Sequence, residues 1–278
     1  MTPSTPPLLF DVSALRQRRR RAERIGAATF LRDRVSEDLA ERLSAVVRNF
    51  PNAVDLGAPG ALAGLQAARV GELTPVDLLE APGDALGLAP DSFDLALSVL
   101  ALHLVNDLPG VMAQVRRALK PDGLFLAALL GGDTLTELRQ SFAAAEAEVE
   151  GGVSPRVAPF ADLRDLGALL QRAGFALPVA DVDRIVVRYD NAFVLMQDLR
   201  RMAATNVLIE RRKSFSRRST LLRMAHIYAE RFADADGRIR ATFDVVWLSG
   251  WAPHESQQKP LKPGSAQMRL ADAIKPKT

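Results

Sequence analysis

The first residues that could do chemistry form a glycine turn behind a short apolar segment. Residues 52–56 read Asn-Ala-Val-Asp-Leu, which predicts a buried strand, and the chain continues at 57–60 as Gly-Ala-Pro-Gly. Glycine at such a turn lets the backbone bend tightly and approach a bound molecule closely. Asp55, Gly57 and Gly60 are therefore candidates for binding a cofactor, although an inherited strand and turn without a ligand would show the same pattern.

Two catalytic candidates follow later apolar segments. His103 comes after the predicted strand 93–99, and histidine suits a general base because its pKa lies near neutrality. A histidine that packs in the core or begins a helix would fit the same position. Asp133 comes after the predicted strand 124–130 and is the second candidate.

The polar residues next to Asp133 could hold a substrate or a partner. Thr134, Glu137 and Arg139 are the candidates for that role. Asp133 and Thr134 could equally cap the helix predicted at 135–148. Glu137 and Arg139 could equally lie on its solvated face.

A group of aromatic and polar residues lies near the end of the last predicted strand, 241–247. Trp247, Trp251, His254 and Glu255 could wall a pocket or hold an arginine side chain by stacking and carboxylate pairing. His254 is a third catalytic candidate, and Trp251 and Glu255 are candidates for substrate or partner contact. The alternative is that these residues only form the final strand of the sheet and bind nothing.

These candidates need a sheet to position them. Predicted strands alternate with predicted helices, which indicates a mainly parallel sheet with helices on both faces. Such sheets bind ligands at the carboxyl ends of their strands. The Gly57 turn, residues 98–103 and residues 131–133 all follow strands, so we expect them to line one crevice.

The sequence predicts one domain between two tails. We expect a flexible tail at 1–12, a single domain at 13–266 and a second tail at 267–278. The domain would begin with helices and carry a helical insertion at about 190–236.

Composition excludes several classes of function. The 278 residues carry 36 basic and 33 acidic side chains, a net charge of +3, which is too small for general attraction to nucleic acid. The basic runs at 16–21 and 211–218 are therefore expected to be solvated or to contact a partner protein. There is no cysteine, and the three histidines have no close ligand spacing, so no metal site is predicted.

Several motifs together resemble the class I S-adenosylmethionine (SAM) methyltransferases. They are the strand and turn at 54–57, Phe-Asp-Leu at 93–95 and Leu-Lys-Pro-Asp-Gly at 119–123. The resemblance implies a Rossmann-like fold with SAM as the cofactor.

Other stretches resemble one branch of that superfamily, the methyltransferase-like assembly factors of respiratory complex I that are associated with arginine hydroxylation. The resemblance runs from about residue 10 to 266, and Gly-Gly-Asp-Thr-Leu at 131–135 and His-Glu-Ser-Gln at 254–257 are its most specific parts. It implies a partner in a complex I subunit or assembly intermediate, with at most peripheral membrane association through partners. The location implied is the cytoplasm, or the mitochondrial matrix in a eukaryote. A weaker resemblance is to malonyl-carrier O-methyltransferases.

Two departures from the superfamily pattern predict weakened or lost SAM binding. Pro59 and Ala61 stand where the superfamily has its second and third turn glycines. Phe93 lies 38 positions after Asp55, whereas two strands with their crossovers need roughly 60 residues. We therefore expect the fold to be shortened between its first and fourth strands, in the region that carries the ribose-binding acid in relatives. Asp77 is a candidate for that role by position, and Asp84 better matches the acid near the adenine.

Three functions remain open from the sequence. The first is an assembly factor that acts on a complex I subunit. The second is a SAM-dependent methyltransferase of a small acid or a carrier-bound acyl group. The third is a non-catalytic scaffold that has lost its cofactor site.

Overall fold

The computed structural model describes residues 8–57, Leu62 and 69–258. Its strands form one six-stranded sheet in the order β2-β1-β3-β4-β6-β5. The helices and strands follow one another as α1 (Val12–Ile25), α2 (Phe30–Ser44), β1 (Phe50–Gly57), β2 (Val70–Asp77), β3 (Phe93–Val99), α3 (Leu108–Ala118), β4 (Leu119–Gly131), α4 (Thr136–Glu150), α5 (Leu163–Arg172), β5 (Ala176–Tyr189), α6 (Ala192–Arg201), α7 (Arg218–Phe232) and β6 (Ile239–Trp251).

The sheet is mainly parallel, as predicted. Strands β1 to β4 pair in parallel, whereas β6 runs antiparallel to both β4 and β5. Side chains of a strand alternate between the two faces of a sheet, and in β4 Leu124 and Leu126 belong to one buried cluster while Phe125 and Ala127 belong to the other. Helices α2, α4, α6 and α7 cover the first face, and α3 and α5 cover the second. The prediction of helices on both faces is confirmed.

The shortening is visible between β1 and β3. Residues 69–92 are all described and contain β2 and a short 3-10 turn at Pro82–Asp84. The described part of this interval thus holds one strand, where an intact fold would have two. Strand β2 lies directly beside β1, so the missing strand is the outer one.

Two local features differ from what their residue types favour. Proline and glycine at 121 and 123 are typical of a turn outside a sheet, but Lys120–Gly123 form the start of β4, and the positive φ (64°) is at Asp122. Position 123 requires glycine because there is no room for a side chain: a Cβ there would lie 2.9 Å from the carbonyl oxygen of Lys120. The predicted cap of α4 is also absent. That helix follows Leu135, which has a positive φ of 52°, with no side-chain cap.

The segment before α1 is held in place. Phe10 is buried and forms an antiparallel bridge with Leu208, and Asp11 caps α1 through the amide of Ala14. Residues 9–12, which the sequence assigned to the tail, therefore belong to the packed structure. Within the described residues, no helix has the length and apolar character needed to cross a membrane.

Candidate functional site

The carboxyl ends of β1, β3 and β4 meet at one edge of the sheet, which we call the carboxyl edge. The hydroxyl of Ser98 donates to the carbonyl of Leu56 at 2.6 Å, and a methyl group at Gly57 would lie 3.5 Å from the Cβ of Ala101. The structure thus brings the start of the glycine turn against residues 98–101. Gly60, Pro59 and Ala61 lie outside the described residues.

Asp55 is the buried acid of this edge. Its side chain points towards Gly57, and its Oδ1 has no hydrogen-bond partner among the described residues. Burial raises the pKa of Asp55 to about 6, although a hydrogen bond from the amide of Leu62 opposes the rise. An unpaired buried carboxylate oxygen is costly, so this position suits a ligand that donates a hydrogen bond.

Asp77 is the last residue of β2 and pairs in register with Gly57. It follows Gly57 by 20 positions, which is about the spacing of the acid that holds ribose in nucleotide-binding Rossmann folds. The carboxylate is already engaged. Its Oδ2 lies 2.7 Å from Nη1 of Arg19 in α1, and its Oδ1 accepts a hydrogen bond from the amide of Leu79. The shortening has therefore left in place β2, the strand that ends at the candidate Asp77.

Asp84 has a structural partner at the same edge. Its Oδ2 accepts hydrogen bonds from the amides of Asn106 and Asp107, at 3.0 and 2.8 Å. Asp84 thereby holds the loop that follows His103 against the turn after β2.

His103 lies in a short 3-10 turn after β3 and is partly buried. Its Nδ1 accepts a weak hydrogen bond from the amide of Leu130 at 3.5 Å, and its ring lies 6.0 Å from that of Phe160. Burial lowers the pKa of His103 to about 4, so the imidazole is neutral near pH 7. With Nδ1 accepting, the proton is assigned to Nε2, which could donate to a ligand.

Asp133 is held in an ion-pair group with two residues that the sequence interpretation missed. Arg184 in β5 lies 2.8 Å from Asp133 and 2.7 Å from the buried Asp244 in β6. Burial would raise the pKa of Asp244, but Arg184 and the amide of Asp133 outweigh it and lower that pKa. No pattern in the sequence pointed to this pair, because Arg184 and Asp244 lie opposite each other only once β5 and β6 pair.

The remaining residues of the stretch 134–139 attach α4 to β6. Thr134 is fully buried, donates to the carbonyl of Gly131 and accepts from the amide of Asp244. Glu137 is buried and accepts hydrogen bonds from both the amide and the hydroxyl of Thr242. Arg139 donates to the carbonyl of Thr134, and its buried Nε has no partner among the described residues.

The structure places Trp251, His254 and Glu255 at the opposite end of the sheet, whereas Trp247 pairs with Ala128 further along β4. Because β6 is antiparallel to β4, Trp251 pairs with Leu124 at the start of β4, and exposed His254 and Glu255 follow it. Trp251 has the guanidinium of Arg48 5.7 Å from its ring centre. The structure therefore does not bring His254, Trp251 or Glu255 together with His103 and Asp133.

A small apolar cluster covers the carboxyl edge. It consists of Phe10, Ala14 and Leu15 with Val207 and Leu208, and it packs against the loop residues Leu79, Leu104 and Ala158. Asn106 ties the first of these segments down, since its Oδ1 accepts from the amides of Leu9 and Phe10. The N-terminal segment and the insertion thus lie over the loops of the candidate site.

The described residues of this edge fit an adenosine-containing cofactor. Asp55 offers an unpaired buried oxygen beside Gly57, and Asp77 stands where a ribose-binding acid is expected. The ion pair between Arg19 and Asp77 works against such binding. Among the described residues, no group of three or more His, Asp or Glu side chains could hold a metal ion.

Comparisons with known proteins agree with this fold. A methyltransferase-domain family model matches residues 38–127. The solved structure of the YcgJ protein from Bacillus subtilis superposes on this chain with a TM-score of 0.53 and is 15% identical in sequence. The superposition covers 78% of this chain and 99% of the YcgJ chain.

Curated relatives match more of the chain. The mitochondrial arginine-hydroxylase NDUFAF5 of Homo sapiens is 38% identical over 286 residues, which cover 95% of this chain and 83% of that protein. The protein of the same name from Dictyostelium discoideum is 46% identical over 187 residues, covering 67% of this chain but 43% of its own length. The malonyl-[acyl-carrier protein] O-methyltransferase of Xylella fastidiosa is 33% identical over 253 residues, with 88% of this chain and 83% of that protein covered.

Proposed function

Because this chain belongs to the family of the NDUFAF5 arginine hydroxylases, we propose that it is an assembly factor of respiratory complex I that acts on an arginine of a partner subunit. The observation that carries the proposal is the extent of the similarity, which reaches 95% of the chain. The methyltransferase-domain match alone, at residues 38–127, would support only the fold. The names of the relatives include a mitochondrial location, and we propose the mitochondrial matrix for this chain in a eukaryote and the cytoplasm in a bacterium.

The carboxyl edge is the working site in this proposal. Asp133, whose side chain is 63% exposed, follows β4 at this edge, and the partly buried His103 follows β3 there. A guanidinium substrate pairs well with carboxylates. His103, neutral and hydrogen-bonded through Nδ1, is suited to orient a substrate group by donating a hydrogen bond from Nε2.

We propose that this chain binds SAM weakly rather than not at all. Asp55, Gly57, Asp77 and Asp84 are the residues that would hold SAM, with Gly60 as a further candidate outside the described residues. When bound, SAM supplies an electrophilic methyl group. The residues of this chain would orient the adenosine and exclude water from the buried end at Asp55.

Deletion of the gene tests the proposed function. We expect membranes of the deletion strain to lose complex I activity, and mass spectrometry of the complex I subunits to find an arginine that no longer gains one oxygen atom. Restoring the gene should restore both. Unchanged complex I and unchanged arginines after deletion would remove the proposal.

A second candidate is methyl transfer to a carrier-bound acyl group. The similarity to the malonyl-carrier enzyme supports it, since it also covers most of both chains. Incubation with SAM and a malonyl-loaded carrier protein tests it directly. A methyl ester formed at a steady turnover would favour this candidate over arginine hydroxylation.

A further inference from the structure

The ion pair between Arg19 and Asp77 joins the first helix to the end of β2. The two groups lie 2.7 Å apart, with 28% of the arginine side chain and 17% of the aspartate side chain exposed. Since the other oxygen of Asp77 accepts from the amide of Leu79, both carboxylate oxygens already have a donor. A partly buried pair of this kind is better fixed than a pair on the open surface.

Arg19 has little freedom to leave this position. Helix α1 is anchored at its start by the cap of Asp11 and at the same sheet edge by Arg16, which lies 3.1 Å from Glu80 and donates to the carbonyl of Leu79. Arg19 itself also lies 3.7 Å from Glu23, one turn further along α1. The guanidinium is thus held over the end of β2 by the fold of the whole helix.

A ribose and Arg19 would seek the same carboxylate. Ribose hydroxyls are neutral donors, whereas a guanidinium is a charged donor that adds the attraction between opposite charges to its hydrogen bond with the carboxylate. Arg19 also reaches Asp77 within the same chain, so it loses no translational freedom on binding. A nucleoside must therefore displace the guanidinium or accept poorer hydrogen bonds.

We propose that Arg19 competes with the ribose of SAM for Asp77 and thereby lowers the affinity of this chain for the cofactor. The inference rests on the weakened SAM binding of the proposed function and assigns a cause to it outside the glycine turn. Arg19 acts through Asp77, so it is a positioning residue and not a catalytic one. The basic run of α1, interpreted from the sequence as solvated or partner-facing, thus reaches into the cofactor site.

Calorimetric titration with SAM tests the proposal on the full chain. We expect Arg19→Ala to bind SAM about tenfold more tightly than the wild type, a difference of about 1.4 kcal/mol, because the ribose no longer competes with the guanidinium for Asp77. The matched control is Arg20→Ala, which removes an exposed arginine from the neighbouring position of the same helix and should leave the affinity unchanged. Thermal unfolding of each variant verifies that it is folded.

The double variant Arg19→Ala/Asp77→Asn shows whether the gain passes through the carboxylate. We expect it to lose the gain of Arg19→Ala. The proposal is overturned if Arg19→Ala binds no more tightly than the wild type, if the gain persists in the double variant, or if no variant binds SAM. These results are independent of complex I activity after gene deletion, so the inference and the proposed function can fail separately.

Discussion

At the scale of single residues, burial shifts the pKa values of Asp55 and His103, two groups of the carboxyl edge, in opposite directions. It raises the pKa of Asp55 to about 6 and lowers the pKa of His103 to about 4, because a buried site disfavours whichever form carries charge. Near pH 7 the imidazole is therefore neutral and Asp55 is mostly ionised. A neutral hydrogen-bond donor and a charged acid thus coexist at this edge.

The low pKa of His103 predicts a loss of stability in acid. The unfolded histidine titrates near pH 6.5, so the contribution of neutral His103 is complete above that pH and is lost as the pH falls towards 4. We expect the free energy of unfolding to fall by about 1–2 kcal/mol more between pH 7 and pH 5 in the wild type than in His103→Gln. Denaturant titrations at the two pH values measure this difference. Parallel pH dependence in both proteins would show that His103 is not shifted.

At the scale of elements, the direction of β6 decides which candidate residues meet. Parallel strands return their carboxyl ends to one edge, so sequence order was enough to predict that Gly57, residues 98–103 and residues 131–133 would line it. No pattern in the sequence gave the direction of β6. That strand runs antiparallel and carries His254 to the other end, while it brings Asp244 to Gly131.

Helix α4 is fixed to β6 by Glu137, whose carboxylate accepts two hydrogen bonds from Thr242. We expect Glu137→Ala to destabilise the protein by about 2 kcal/mol or more, because it leaves a buried amide and a buried hydroxyl without their acceptor. Gln140→Ala, which removes an exposed side chain from the same helix, should change stability by less than about 0.5 kcal/mol. Urea denaturation measures both. Equal effects of the two substitutions would contradict a structural role for Glu137.

At the scale of the whole molecule, the N-terminal segment and the insertion close over the carboxyl edge together. The sequence located the helices of both regions but could not pair Phe10 with Leu208, because the two residues are almost two hundred positions apart and share no periodic pattern. The same limit hid the contact between Arg19 and Asp77. Contacts between distant segments depend on tertiary packing, whereas strands and helices are visible in local patterns.

The side chain of Asn106 should help to hold residues 9–15 against the loops of the carboxyl edge. Its side chain bonds the amides of Leu9 and Phe10 and the carbonyl of Phe10, so Asn106→Ala should speed hydrogen exchange over residues 9–15 without exposing α4. Asn191→Ala, which removes the cap of α6, is a matched control and should affect α6 alone. Unchanged exchange at residues 9–15 would mean that the apolar contacts of Phe10 hold the segment without Asn106.

The central claim is that the carboxyl edge, and not the opposite end of the sheet, acts on the partner arginine. The most direct measurement compares His103→Ala with His254→Ala in the deletion strain and quantifies the oxygenated arginine by mass spectrometry of complex I subunits. We predict that His254→Ala restores the modification, whereas His103→Ala, which no longer orients the substrate, lowers its rate on the order of a hundredfold while remaining folded. Full modification by His103→Ala together with none by His254→Ala would contradict the claim.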